Sequence, residues 1–219
     1  MSVSMLTQSN NRYHFENRKY RLSTTDKRPQ GVLVFLHGAS QAPLVETEAV
    51  HALRFYARSQ NFVLLQPEGS VGYSSMDNGG GSPTVSWNLR DTSQEFSFIY
   101  RLLMHVEQRL GFTFTERYAL GYADGGSLMG SALQCGLGKE WSRVGIIAGG
   151  PVGSNRAPAM ASPPTFIEVG LHDAWQLESS RSLRTLLKRL EPAPAYRETP
   201  DGHELSSQRL RRFLRWWDT

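Results

Sequence analysis

The sequence predicts an α/β protein: a doubly wound, mostly parallel sheet with helices on both faces, built as a single domain over residues 1–219. Three observations predict it. Short apolar runs alternate with segments of helical period along most of the chain, the pattern of strands joined by right-handed helical crossovers. The strongest runs, 32–36 and 144–148, are continuously apolar, as strands covered on both faces must be. The chain is long enough for one full core and too short for a large second domain.

Each element follows from local chemistry. Residues 13–16 and 19–23 flank Asn17-Arg18 and read as an edge hairpin. The run 32–36 is the first buried strand and ends in His37-Gly38-Ala39-Ser40-Gln41. Val45, Ala49, Leu53 and Tyr56 recur at helical spacing, so an amphipathic helix returns along the sheet. Residues 62–66 form the next strand, closed by Pro67. The stretch 68–87 is rich in Gly and Ser without a period, and a loop of that length inside a compact domain is usually functional.

Thr92 and Glu95 fit a capping box, so a helix starts there, carries Phe96, Ile99, Leu103, Val106 and Leu110 on one face, and stops at Gly111. Residues 117–121 form a strand and 125–137 the helix after it. Two more strands, 144–148 and 165–169, are joined by a segment too short for a lid domain. Leu183, Leu186, Leu187 and Leu190 mark a helix, 195–198 a last strand and 205–217 the final helix. In that final helix the aromatic side covers the sheet, and the arginines are expected in solvent.

Composition excludes several classes. With 39% hydrophobic and 20% charged residues the chain is globular rather than disordered. A net charge of +4 falls short of a nucleic-acid footprint, so no nucleic-acid partner is expected. The start Met-Ser-Val-Ser-Met-Leu-Thr-Gln has neither a basic region before an apolar core nor a membrane span, so a cytoplasmic protein with no membrane partner is expected. The single cysteine, Cys135, forms no internal disulfide. No spacing links His14, His51 and His105 as metal ligands, and no metal or cofactor is expected.

The stretch Tyr118-Ala-Leu-Gly-Tyr-Ala-Asp-Gly-Gly-Ser127 organises the rest. An apolar run enters a glycine-rich corner and leaves as a helix, which is the nucleophile elbow of an α/β-hydrolase. Gly121 and Gly125 bracket Ala123, so alanine stands where a nucleophilic serine belongs. The frame shifted by one, with Asp124 as a carboxylate nucleophile, would put the large ring of Tyr122 where a small residue is required.

Two later strand ends supply partners. Asp173 follows the strand 165–169, and His203 lies in the turn Asp201-Gly202-His203 after the last strand. The chain order of nucleophile position, acid and histidine is that of α/β-hydrolases. A hydroxyl needs an imidazole to take its proton during attack, and the imidazole needs a carboxylate to fix its tautomer. His203 and Asp173 are assigned those roles. His172 is the rival to His203, but it adjoins the acid in sequence and would point away from it. The oxyanion donors are expected to be the backbone N–H groups of Ala39 and Asp124. Ser40, Gln41, Trp87 and Trp175 are candidates to contact substrate, both tryptophans having edge packing as an equal alternative. His37 is read as holding its loop, and Asp201 as shaping its turn.

The chain resembles the α/β-hydrolase esterases related to polyhydroxybutyrate depolymerases and feruloyl esterases, through Leu36-His-Gly-Ala-Ser-Gln41, Gln66-Pro-Glu-Gly69, Val85-Ser-Trp-Asn88, the segment 91–98, the elbow glycines and Gly202-His203. The resemblance spans about Gly31 to the end. It implies Ser, Asp and His catalysis on a small-molecule ester. The expected reading is therefore a carboxylic-ester hydrolase whose serine has been replaced by Ala123, leaving an inactive chain that traps ligand. A natural pseudoenzyme is one alternative. A thioesterase or acyltransferase that meets an acidic carrier protein is another. The loop 69–84 is expected to set the substrate, and its polarity points to a hydroxylated or aromatic one rather than a long lipid.

Overall fold

The computed structural model describes residues 9–72, 84–152 and 161–219. Residues 1–8, part of the expected loop 69–84 and part of the segment after residue 148 lie outside the described residues.

Among the described residues eight strands form one sheet, and each expected strand is present. The hairpin β1 (Asn10–Phe15) and β2 (Arg18–Ser23) is antiparallel and joins the edge of β4 (Phe62–Pro67). From β4 the sheet is parallel through β3 (Gly31–Leu36), β7 (Glu116–Tyr122), β8 (Arg143–Ile147), β9 (Thr165–Gly170) and β10 (Ala195–Thr199). The spatial order is β1-β2-β4-β3-β7-β8-β9-β10. Within the expected loop 68–87, β5 (Ser70–Gly72) and β6 (Thr84–Ser86) pair as a small antiparallel ribbon. An added bridge between Ser40 and Val85 ties that ribbon to the loop after β3.

Alternation within the buried strands divides the core in two. Val32, Val34 and Leu36 of β3 pack beneath α2 (Thr92–Leu110), α3 (Asp124–Gln134) and α4 (Leu177–Leu187). Leu33 and Phe35 face α1 (Glu48–Ser59) and α5 (Ser207–Trp217) on the other side. Both faces are thus apolar, so the central strands are mainly hydrophobic, β3 without a break and β9 interrupted by the buried Glu168. The loops that leave the carboxyl ends of β3, β7, β9 and β10 gather at one edge, where ligands bind in open α/β sheets.

Two local expectations are corrected. Asp91, not Thr92, caps α2: its side chain accepts the Gln94 N–H at 3.0 Å. Glu95 is consequently free of capping and is buried. It accepts from Arg18 at 2.5 Å, from the Ser70 hydroxyl at 2.8 Å and from the Asn88 N–H at 3.0 Å, which fastens the β5–β6 ribbon to the sheet. Arg209 of α5 is also buried rather than solvated. Gly111 does stop α2, at φ 75°.

Candidate active site

The elbow is built by close approach of backbone. A β-carbon on Gly121 would lie 2.4 Å from the Gly125 carbonyl oxygen, and one on Gly125 would lie 2.2 Å from the Leu36 carbonyl oxygen. Both distances are below any tolerable contact, so only glycine permits α3 to start this near β3 and β7. Between them Ala123 adopts φ 50° and ψ −116°. A side chain in that region is strained by roughly 1–3 kcal/mol and persists only where its surroundings dictate it. Here the Ala123 N–H donates to the Ile147 carbonyl at 3.1 Å, and the Ala123 carbonyl accepts the Ser127 N–H at 2.7 Å. The strained residue is therefore Ala123, and Asp124 already begins the helix. The Asp124 carboxylate is turned into the protein, where it accepts the Ser86 hydroxyl at 2.5 Å, an arrangement unsuited to a nucleophile.

Asp173 and His203 come together from loops thirty positions apart. His203 Nδ1 lies 2.8 Å from Asp173 Oδ2. The other carboxylate oxygen accepts the N–H groups of Trp175 at 3.2 Å and Gln176 at 3.1 Å, so the acid is fixed before the histidine reaches it. With Nδ1 donating to Asp173, Nε2 keeps its lone pair. The imidazole contacts two aromatic rings. Trp175 stands edge-on with ring centroids 5.3 Å apart, and Tyr122 is tilted at 5.6 Å. Tyr122, the neighbour of Ala123, also donates its hydroxyl to the His203 carbonyl at 3.2 Å. Burial pushes this phenol up to about 12, so it stays a neutral donor through ordinary pH. Through Tyr122 the acid–histidine pair is held against the end of β7 that carries Ala123.

The loop after β3 passes equally near. A β-carbon on Gly38 would stand 3.0 Å from Ala123 Cβ and 3.3 Å from the Tyr122 ring. His37 holds this loop as expected. Its Nε2 accepts the Gly69 N–H at 3.0 Å, which leaves Nδ1 to donate to the Gly38 carbonyl at 2.6 Å. Burial drives its pKa down to about 4, against a hydrogen bond to Gly38 that favours the charged form less strongly. Neighbouring amides are committed, Ser40 to the Val85 carbonyl and Gly125 to the His37 carbonyl. Those of Ala39 and Asp124 have no acceptor among the described residues, and Asp124, as the first residue of α3, has none in its helix.

The remaining candidates separate. Trp175 is 64% exposed beside His203. Trp87, expected as a cleft residue or as packing, is 4% exposed; it donates its indole N–H to the His37 carbonyl at 2.8 Å and supports the loop from beneath. Ser40 lines a cavity next to the loop, whereas Gln41 is exposed outside it. His172 is exposed, and its N–H is bonded to the Asp201 carbonyl.

Sequence reasoning missed Tyr122 as a support for the histidine, although its place beside the elbow was a signal. It also missed Arg209, whose position four residues before Phe213 puts it on the apolar stripe of α5. Among the described residues no cluster of His, Cys, Asp and Glu could hold a metal, and no helix is long and apolar enough to cross a membrane.

No protein-family model matches the sequence, and no curated protein is significantly similar to it. Solved structures do resemble it. A carboxylesterase from Bacillus cereus superposes with a TM-score of 0.71 at 18% identity, covering 92% of this chain and 93% of that one. One from Mesorhizobium loti gives 0.70 at 21%, covering 92% and 94%. Esterase PE8 gives 0.64 at 14%, covering 90% and 96%. At these identities the likeness is one of fold, and the fold is that of the α/β-hydrolases.

Proposed function

We propose that this chain is built as a serine-type carboxylic-ester hydrolase in which alanine occupies the nucleophile position, so that it binds an ester without turning it over. The observation that carries the reading is the 2.8 Å pairing of His203 with Asp173, tied through Tyr122 to a strained elbow residue that has no reactive group. Strain at a residue without chemistry is a cost with no return unless the position is built for a nucleophile. The carboxylesterases among the similar structures and the sequence resemblance to polyhydroxybutyrate depolymerases and feruloyl esterases support the same reading.

With serine at position 123, the hydroxyl proton passes to His203 Nε2 as the oxygen attacks the ester carbonyl. The carbonyl oxygen takes the negative charge and is met by the N–H groups of Ala39 and Asp124. Collapse returns the proton to the departing alcohol and leaves an acyl-enzyme, which water opens by the same proton path. Asp173 stabilises the imidazolium throughout. Alanine removes the attacking oxygen and nothing else. Retention of the acid and histidine speaks for replacement of serine rather than long-standing loss, and a serine codon at position 123 of the encoding gene decides that point.

The test is Ala123→Ser on 4-nitrophenyl esters. Loss of the nucleophile in a triad lowers turnover by roughly a million-fold, about 8 kcal/mol of transition-state stabilisation. The variant should hydrolyse them while the parent chain and Ala123→Ser/His203→Ala do not. Equal, negligible rates in all three would end the proposal.

A further inference from the structure

A cavity of about 340 Å³ opens between the loop after β3, the start of α1, and the residues that flank the histidine. Gly38, Ala39 and Tyr122 line it, the first and last of which approach position 123 directly. Its remaining wall is largely apolar, with Phe35, Pro43, Val50 and Leu205.

The polar side chains on that wall are already partly committed to the protein. The Ser40 hydroxyl accepts the Ala42 N–H at 3.1 Å, and the Thr47 hydroxyl accepts the Val50 N–H at 3.2 Å. Glu48 accepts the Ser207 hydroxyl at 2.5 Å, and both ring nitrogens of His37 are bonded to backbone. A ligand here gains burial of apolar surface and few hydrogen bonds. The carboxylate of Glu48 further disfavours an anionic one.

Resting on the esterase reading above, we propose that this cavity receives the acyl chain of the ester and selects compact, uncharged, apolar acyl groups. The acyl group is the part that stays attached to the protein after the first step, so it suits the side walled by apolar residues. The alcohol must take a proton from His203 and leave, and the exposed Trp175 marks the open side of that imidazole. At roughly 30 Å³ per non-hydrogen atom, the share of a water in the liquid, the cavity, which is open to solvent on one side, holds at most on the order of ten such atoms. Acyl groups of about eight carbons or fewer fit, and longer chains protrude.

Binding to the chain as it exists gives the first test, by calorimetric titration of 4-nitrophenyl acetate, butanoate, hexanoate and dodecanoate. Each added methylene should raise affinity roughly three- to fourfold up to the hexanoate, with no further gain at the dodecanoate. Ala42→Trp and Val45→Asp alter the mouth at exposed positions. Each should weaken the hexanoate at least tenfold and leave the acetate within about twofold. In the Ala123→Ser background kcat/KM should follow the same order. Affinities independent of acyl length, or mouth variants without effect, overturn the cavity assignment. Length-dependent binding blocked by Ala42→Trp, with no hydrolysis by Ala123→Ser, upholds the cavity and sinks the esterase reading. Hydrolysis graded only by the alcohol does the reverse.

Discussion

Arg209→Met tests whether the histidine loop is held by a buried charge. The Arg209 side chain is 0% exposed, and its guanidinium donates to the carbonyls on either side of His203, that of Glu204 at 2.8 Å and that of Gly202 at 3.0 Å. Its Nε lies 3.5 Å from both Glu168 Oε1 and Asp201 Oδ2, at ion-pair rather than hydrogen-bond range. Glu168 is also gripped through two bonds by Arg212, at 2.8 and 2.7 Å, and Arg212 reaches Asp201 at 3.1 Å. The buried Glu168 and the partly exposed Asp201 thus face two arginines. Methionine keeps the apolar stem and removes one positive charge, leaving an excess negative charge and two carbonyls without their donor. Breaking a buried pair costs about 3–5 kcal/mol, and losing each part-buried hydrogen bond to the charged guanidinium about 1–2 kcal/mol. These overlap, and Arg212 still compensates Glu168, so a total of about 3–5 kcal/mol is expected. In a chain of this size that lowers Tm by roughly 10 °C. Urea unfolding gives the energy, and the proton resonance of His203 Nδ1 reports the loop directly. The resonance should broaden or vanish in Arg209→Met but persist in Ala42→Trp. A variant within about 1 kcal/mol of the parent, with the resonance intact, would refute the argument.

Two further outcomes follow from the same packing. Burial holds His37 at about 4 in the folded protein against an ordinary 6.5. Between those values the unfolded chain binds the additional proton, so stability is full above pH 6.5 and falls as pH drops towards 4, by on the order of 3 kcal/mol. Urea midpoints measured over that range should slope less in His37→Gln, and parallel slopes would clear His37 of the effect. Gly125→Ala would place a methyl 2.2 Å from the Leu36 carbonyl and 2.7 Å from that of His37. Because both obstacles are backbone, a loss of about 3 kcal/mol or more is expected by urea unfolding, and a variant as stable as the parent would contradict the close approach.

The strand ends were legible where burial on both faces makes a strand largely apolar, although Glu168 interrupts β9 and β10 at the sheet edge is partly exposed. Asp173 and His203 were placed at the ends of the strands they follow, and the structure pairs them although 30 residues separate them. The elbow was legible because two glycines at fixed spacing have a steric cause. What the sequence left open were side-chain directions in loops. Trp87 and Trp175 both sit near the sheet's carboxyl edge, and only tertiary contact decides that one supports the β3 loop while the other faces solvent. The cavity was illegible for the same reason, since its walls come from β3, the following loop, α1, β7 and the segment before α5.

The clearest misreadings share a physical basis. Charged residues on helices are expected in water, because burying an ion without partners is prohibitive. Glu95 and Arg209 depart from that rule, and each binds a loop at the site's edge to the scaffold: Glu95 the β5–β6 ribbon that meets Ser40, Arg209 the backbone around His203. Loops offer few apolar side chains with which to hold themselves against a sheet, but they offer backbone N–H and carbonyl groups. A buried ion whose partners are those groups can fix a loop where hydrophobic packing has little to grip. In this fold, a charge on the apolar stripe of a helix thus points to the loops that must not move.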